Sequence, residues 1–177
     1  MKTVVEVFCD ISSKELDGIP FSKMAYNIKM YKKDYGKPHI TTIKEKDNNK
    51  AELINVVNAI REVANIPNDK KRNYPIKIYS DSQYAMDTLN QFLVYVKKMR
   101  GIPELYNYFK ENNIFYYEKN KKFYGVLRSK KELVSCKINF RLLVFDLMKI
   151  MDTNNIKFQW IPRQENEEVD QISKMRL

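Results

Sequence analysis

The order in which strand-like and helix-like patterns succeed one another constrains this chain most. Val4-Val5-Glu6-Val7-Phe8-Cys9 is rich in β-branched residues and reads as a strand ending at Asp10. Gly18-Ile19-Pro20 marks a turn. Ala25 to Tyr31 and Ile40 to Glu45 then read as two antiparallel strands, joined through Asp34-Tyr35-Gly36-Lys37-Pro38. Leu53, Val56, Val57, Ile60 and Ala64 follow at helical spacing, with Asn49 as the expected N-cap and Ile66-Pro67 as the stop. Ile76 to Tyr79 is a short strand. Ser82 to about Val96 is a helix with Ala85, Leu89, Phe92, Leu93 and Val96 on one side. After an interruption, a helix from Phe140 to Met151, a strand from Ile156 to Ile161 and a helix from Glu167 close the chain. Three antiparallel strands followed by alternating helices and parallel strands predict an α/β fold. Its core is a mixed five-stranded sheet flanked by helices.

A length of 177 residues suits one domain with a full core, so a single domain over 1–177 is expected. The net charge of +10 favours a polyanionic partner, nucleic acid ahead of an anionic membrane. No apolar run approaches the roughly 20 residues of a membrane span, and no signal-peptide pattern is present. Cys9 and Cys136 are too few for a disulfide framework or a thiolate zinc site. A cytoplasmic monomer with reduced, buried cysteines is the expectation.

The interruption differs in composition. Between Lys97 and Arg141 stand twelve positive and four negative residues, which supply eight of the ten net charges. Nine aromatics are interleaved, among them Tyr106, Phe115, Tyr117 and Phe123. Residues 97–139 therefore read as a basic, aromatic-rich insertion. Its cations, including Lys97, Lys98 and Arg100, suit a phosphate backbone. Its aromatics are read as the core of a small helical subdomain.

Four acids fall at predicted strand ends or helix starts: Asp10, Glu52, Asp81 and Asp170. Each has an ordinary structural role available. Asp10 would start a turn at Ser12-Ser13, and Glu52 would complete a capping-box-like pair with Asn49. Asp81 would cap the following helix, and Asp170 would sit in a first turn favoured by the helix dipole. Strand ends and helix starts on one sheet edge can also converge. Four converging carboxylates repel unless a cation neutralises them, and an oxygen-only donor set suits Mg²⁺ or Mn²⁺ over zinc.

With those residues in place, the chain resembles type 1 ribonuclease H over nearly its whole length. The opening strand ends in Asp10 with Ser12 two residues on. Asn48, Asn49, Lys50, Glu52 and Leu53 match the family's first-helix motif. Asp81-Ser82-Gln83-Tyr84 matches the segment after its fourth strand, and Trp160, Asn166 and Asp170 match its closing pattern. The resemblance implies that Asp10, Glu52, Asp81 and Asp170 hold two Mg²⁺ ions, with Mn²⁺ able to substitute. It implies cleavage of the RNA strand of RNA–DNA hybrids. Ser12, Asn48, Asn49, Lys50, Gln83 and Arg163 would face the hybrid, helped by the basic insertion. Two departures accompany it. Ile11 stands where many members have glycine, and Pro162-Arg163-Gln164-Glu165-Asn166 lacks the histidine many members carry there. Activity is still expected, with Arg163 or Glu165 partly substituting. His39, the only histidine, is expected at the surface. Asn166 reads as the N-cap of the last helix, and Trp160 as core.

Overall fold

A computed structural model describes residues 4–98, 116–119, 122–129, 132–136, 138 and 140–174. The main sheet begins with β1 (Val5–Leu16) and β2 (Ile19–Met30), a long antiparallel hairpin in register from Val5↔Met30 to Leu16↔Ile19. Both strands run further than the sequence suggests. Asp17 and Gly18 take positive φ (51° and 78°), the geometry of a two-residue hairpin turn, so pairing continues to the tip. The polar run from Asp10 to Glu15 hides this extension, because it shows no apolar alternation.

The third strand is broken in two. β3 (Lys33–Asp34) and β4 (His39–Ile43) both pair with β2, giving six strands where five are predicted. β5 (Ile76–Ser80) then pairs parallel with β1, and β9 (Ile156–Trp160) pairs parallel with β5. Three antiparallel neighbours followed by parallel ones is the mixed sheet expected.

Period-two alternation sends successive β1 residues to opposite faces. Val5, Val7 and Cys9 pack in one buried cluster with α1 (Asn48–Asn65), α3 (Gln83–Lys98) and α4 (Phe140–Met151). Leu53, Val56, Ile60, Leu89, Phe92, Leu143 and Leu147 fill it, and each such side chain contributes about 1.5–3 kcal/mol when fully buried. Phe8, Ala25 and Ile40 instead meet Val169 and Ile172 of the last helix, α5 (Glu167–Lys174).

The short α2 (Asn68–Lys71) supplies a cap to α1. The Nζ of buried Lys71 donates to the carbonyls of Ile66 (3.0 Å) and Val63 (3.4 Å) at the C-terminal end of α1, where Val63 O also accepts from Ile66 N (3.1 Å). Burial lowers the pKa of this ammonium, and Lys149 lowers it further.

Part of the interruption forms a separate antiparallel sheet of β6 (Tyr116–Lys119), β7 (Lys122–Ser129) and β8 (Glu132–Cys136). The described part is thus a meander and not the helical subdomain expected. Arg100 and the side chain of Lys98 lie outside the described residues. Among the described residues no helix is long and apolar enough to cross a membrane.

Candidate active site

Strand register brings the first two acids together. The parallel pairing of β1 with β5 ends at Cys9↔Ser80, so Asp10 and Asp81 are the next residues on adjacent strands. Asp10 lies within β1, where it pairs with Ala25, and does not start a turn. Ile11↔Met24 continues the ladder, so the residue standing in place of glycine has ordinary strand backbone.

Neighbouring side chains take over the capping roles that would otherwise fall to the acidic motifs. Asp47, not Asn49, caps α1, its Oδ1 accepting from Asn49 N (2.9 Å) and Lys50 N (3.3 Å). Glu52 is therefore not needed for a capping box. Ser82, not Asp81, caps α3, its Oγ accepting from Ala85 N at 3.1 Å. Asn166 lies in a 3-10 turn (Arg163–Asn166) and does not cap α5; its Nδ2 donates to Cys9 O at 2.9 Å.

The carboxylates of Asp10, Glu52 and Asp81 converge, with an oxygen from each within 4.8 Å of the others. Asp10 is 3% and Glu52 8% exposed. Asp170, from α5, stands beside Asp10, close enough for its carboxyl to help raise the pKa of Asp10. Its Oδ2 accepts from Lys174 at 3.0 Å, and its Oδ1 lies 3.9 Å from Arg163.

Burial pushes the Asp10 carboxyl up to about 8, reinforced by Asp170 and by the charge of Asp81. Burial likewise takes Glu52 to about 9, with the charges of Asp10 and Asp81 adding to it. Burial also raises Asp81, against the opposing pull of Arg163. Burial acts to raise Asp170 too, but Lys174, Asp10 and Arg163 outweigh it and hold that acid below the usual range.

A divalent cation fits this donor set. Asp10 Oδ2, Glu52 Oε2 and Asp170 Oδ1 are buried acceptors with no hydrogen-bond donor among the described residues. Clustered carboxylates of raised pKa are what a bound cation would ionise and neutralise, and all the donors are oxygen.

Around them opens a cleft of about 530 Å³, lined by Ser12, Ser13, Asn48, Asn49, Arg163 and Lys174 as well as three of the acids. Arg163 lines it, whereas Glu165 lines a different cavity, so of the two only Arg163 shares a cleft with the acids. Lys50 is half-buried, and Gln83 and Lys97 are exposed; none of the three lines the cleft. Exposed His39 stacks on Tyr26 at 4.8 Å, away from the acids.

Several supporting residues are absent from the motifs. Asn55 is buried, and its Nδ2 donates to the carbonyls of Asp10 (3.0 Å) and Ala25 (2.9 Å), clamping α1 to the strand pair at the acid. A polar residue on the apolar face of α1 was its only sequence signal. Ser13 Oγ donates to Asn48 Oδ1, a contact across 35 residues that local pattern does not show. Lys174 is four residues after Asp170, a spacing that can be read directly. Ser80 is fully buried, and its hydroxyl beside Glu52 lowers the pKa of that acid against the other influences.

The sequence matches the RNase H family model over residues 2–177. The chain belongs to the RNase H family. Solved structures agree with this RNase H fold. A foamy viral protease-reverse transcriptase in complex with dsDNA superposes with a TM-score of 0.55 at 14% identity, covering 95% of this chain and 90% of that one. LC9-RNase H1, a type 1 RNase H with the type 2 active-site motif, gives 0.54 at 12% identity, covering 97% and 71%. The foamy viral enzyme in complex with an RNA/DNA hybrid gives 0.50 at 12%, covering 94% of this chain and 19% of that one. No curated protein matches this RNase H in sequence.

Proposed function

We propose that this RNase H is a type 1 endoribonuclease that hydrolyses the RNA strand of RNA–DNA hybrids with two Mg²⁺ ions, for which Mn²⁺ can substitute. The carrying observation is the convergence of Asp10, Glu52 and Asp81 within 4.8 Å, with buried oxygens that lack donors. Membership of the RNase H family supports the reading. The hybrid-bound foamy viral structure supports it only as an example of the same fold on that ligand.

Asp10, Glu52, Asp81 and Asp170 would hold the ions. When bound, these would lower the pKa of the attacking water and stabilise the leaving 3′ oxygen, leaving a 5′-phosphate and a 3′-hydroxyl. The chain's own residues do the rest. Asn55 and Asn166 hold the backbone on either side of Asp10. Lys174 and Arg163 keep Asp170 ionised and ready to ligate. Asn48, Asn49 and Ser12 on the cleft wall, with Gln83 at the start of α3, would contact the hybrid and read its 2′-hydroxyls. Lys50, Lys97, Lys98, Arg100 and the rest of the 97–139 insertion would track its phosphates, within one domain acting as a monomer.

Labelled RNA–DNA hybrid, single-stranded RNA, duplex RNA and duplex DNA incubated with Mg²⁺ or Mn²⁺ test this. Cutting of the hybrid's RNA alone, lost in Asp81→Asn, is expected. Tight binding to hybrid without cleavage under either metal would replace the enzyme with a binding module of the same fold.

A further inference from the structure

Two buried amide oxygens mark a second site beside the strand that carries Asp10. Asn27 on β2 and Asn166 in the 3-10 turn are each 2% exposed. Asn27 Nδ2 donates to Asp34 Oδ1 at 3.2 Å, and Asn166 Nδ2 donates to Cys9 O at 2.9 Å. Both partners are pure acceptors, so each amide must present nitrogen to them, which settles its orientation. The oxygens are what remain, and neither has a hydrogen-bond donor among the described residues.

Both asparagines line one cavity of about 120 Å³, together with Phe8, Val169 and the carboxylate-bearing Glu165 and Glu168. Its polar lining is thus two asparagines with unpartnered buried oxygens and two exposed glutamates at its rim, with no histidine or cysteine among the lining residues. Lys29 answers part of the negative charge, lying 2.6 Å from Glu168 and 3.8 Å from Asp34. Set against Asp34, Glu165 and Glu168 together, it leaves the surroundings negative.

We propose that this cavity binds a hard cation of the Ca²⁺ type. Such an ion accepts amide carbonyls, carboxylates and waters together, in flexible coordination of six to eight oxygens at about 2.3–2.6 Å. A water takes about 30 Å³ of liquid volume, so the space admits an ion with part of its hydration shell. Mg²⁺ suits it less, because it demands a near-ideal octahedron that donors from three separate elements would have to build. The ion ties β2, the 3-10 turn and α5 together. It thereby braces Asn166, whose amide already holds the carbonyl of the residue before Asp10. The cavity shares no lining residue with the acidic cleft, so its occupancy does not depend on nuclease activity.

The test uses the full chain carrying Asp10→Asn and Asp81→Asn, which weakens cation binding in the cleft. Crystals soaked in Tb³⁺, a Ca²⁺ surrogate, should give an anomalous peak between Asn27 Oδ1 and Asn166 Oδ1. In solution, saturating CaCl₂ should raise the melting temperature by roughly 5 °C, the effect of a ligand well above its Kd on a domain of this size. Glu165→Gln should cut that shift by about half or more, and Asn27→Ala should remove it. A non-anomalous peak at hydrogen-bond distance from both oxygens would make this a water site and overturn the proposal. So would a Ca²⁺ shift that is equally large in Glu165→Gln.

Discussion

The indole Nε1 of Trp160 donates to the main-chain carbonyl of Asp81 at 3.0 Å, although the side chain is 49% exposed. Trp160 ends β9 in register with Ser80, so its ring reaches over the strand end that presents the acid. The expected core role is wrong for this residue: it holds a backbone carbonyl from the surface. A hydrogen bond of this kind is worth about 0.5–1.5 kcal/mol. Trp160→Phe keeps a ring and loses the donor, so kcat should fall roughly three- to tenfold, with KM for the hybrid nearly unchanged. Steady-state kinetics on a defined hybrid check this. An equal rise in KM would instead place the ring against the substrate.

The raised acids tie metal-free stability to pH. Below about pH 4 the carboxyls of Asp10 and Glu52 are protonated in folded and unfolded chains alike. As pH rises, the unfolded chain releases these protons first, while folded Asp10 keeps its own to about 8 and Glu52 to about 9. The folded state then binds more protons, so their contribution to stability falls from about pH 4 upward and levels off above about 9. In EDTA the melting temperature should therefore drop between pH 5 and 9. Asp10→Asn with Glu52→Gln should remove much of that drop and be more stable than the parent at pH 8, by roughly 5 °C. Mg²⁺ should flatten the parent's curve in the same way. Thermal melts across the range decide it, and a parental curve that rises toward pH 9 would contradict the burial of these acids.

Asn55 offers a test of how the site is held. Its amide serves two buried carbonyls, those of Asp10 and Ala25, from the apolar face of α1. Asn55→Leu restores apolar volume but leaves both acceptors without a donor, at about 1–3 kcal/mol each. Urea unfolding should show a loss of about 2–6 kcal/mol, with an unchanged m-value. Activity at low Mg²⁺ should fall further than stability alone explains, because the Asp10 backbone is no longer held against α1.

The parts of this fold that follow local periodicity were legible in the sequence. The spacing from Leu53 to Ala64, the apolar run from Phe140 to Met151 and the strand from Ile76 all reappear where expected. The convergence of Asp10, Glu52 and Asp81 could be anticipated too, from acids standing at predicted strand ends and a helix start, although β1 in fact runs on past Asp10. What the sequence could not settle was competition among neighbours for one role. Asp47, Asn48 and Asn49 are all good N-caps, and only the chain's path chose Asp47, leaving both asparagines on the helix. Ser82 won over Asp81 in the same way. Long-range partners such as Ser13 with Asn48 carry no local signal. The hairpin tip was misjudged because pairing, not burial, extends β1 past Asp10 to exposed Leu16.

Arg163 should show two effects of opposite sign. Its guanidinium lies 3.9 Å from Asp170 and pulls down the pKa values of Glu52 and Asp81, so it competes with a cation for the same negative field. The side chain is also mostly exposed on the cleft wall, where the phosphates of a hybrid would approach. Arg163→Gln removes the charge and keeps a polar side chain. Solvent screens so exposed a group, so the gain in cation affinity is modest, with half-maximal Mg²⁺ falling about two- to threefold. Binding of the hybrid should weaken instead, with a salt slope shallower by about one phosphate contact. Mg²⁺ titrations of cleavage and salt titrations of hybrid binding in catalytically silent Asp81→Asn separate the two effects. Arg163→Lys keeps the charge and should restore most of both. Weaker Mg²⁺ activation in Arg163→Gln would mean that the guanidinium organises the acids more than it competes with the metal.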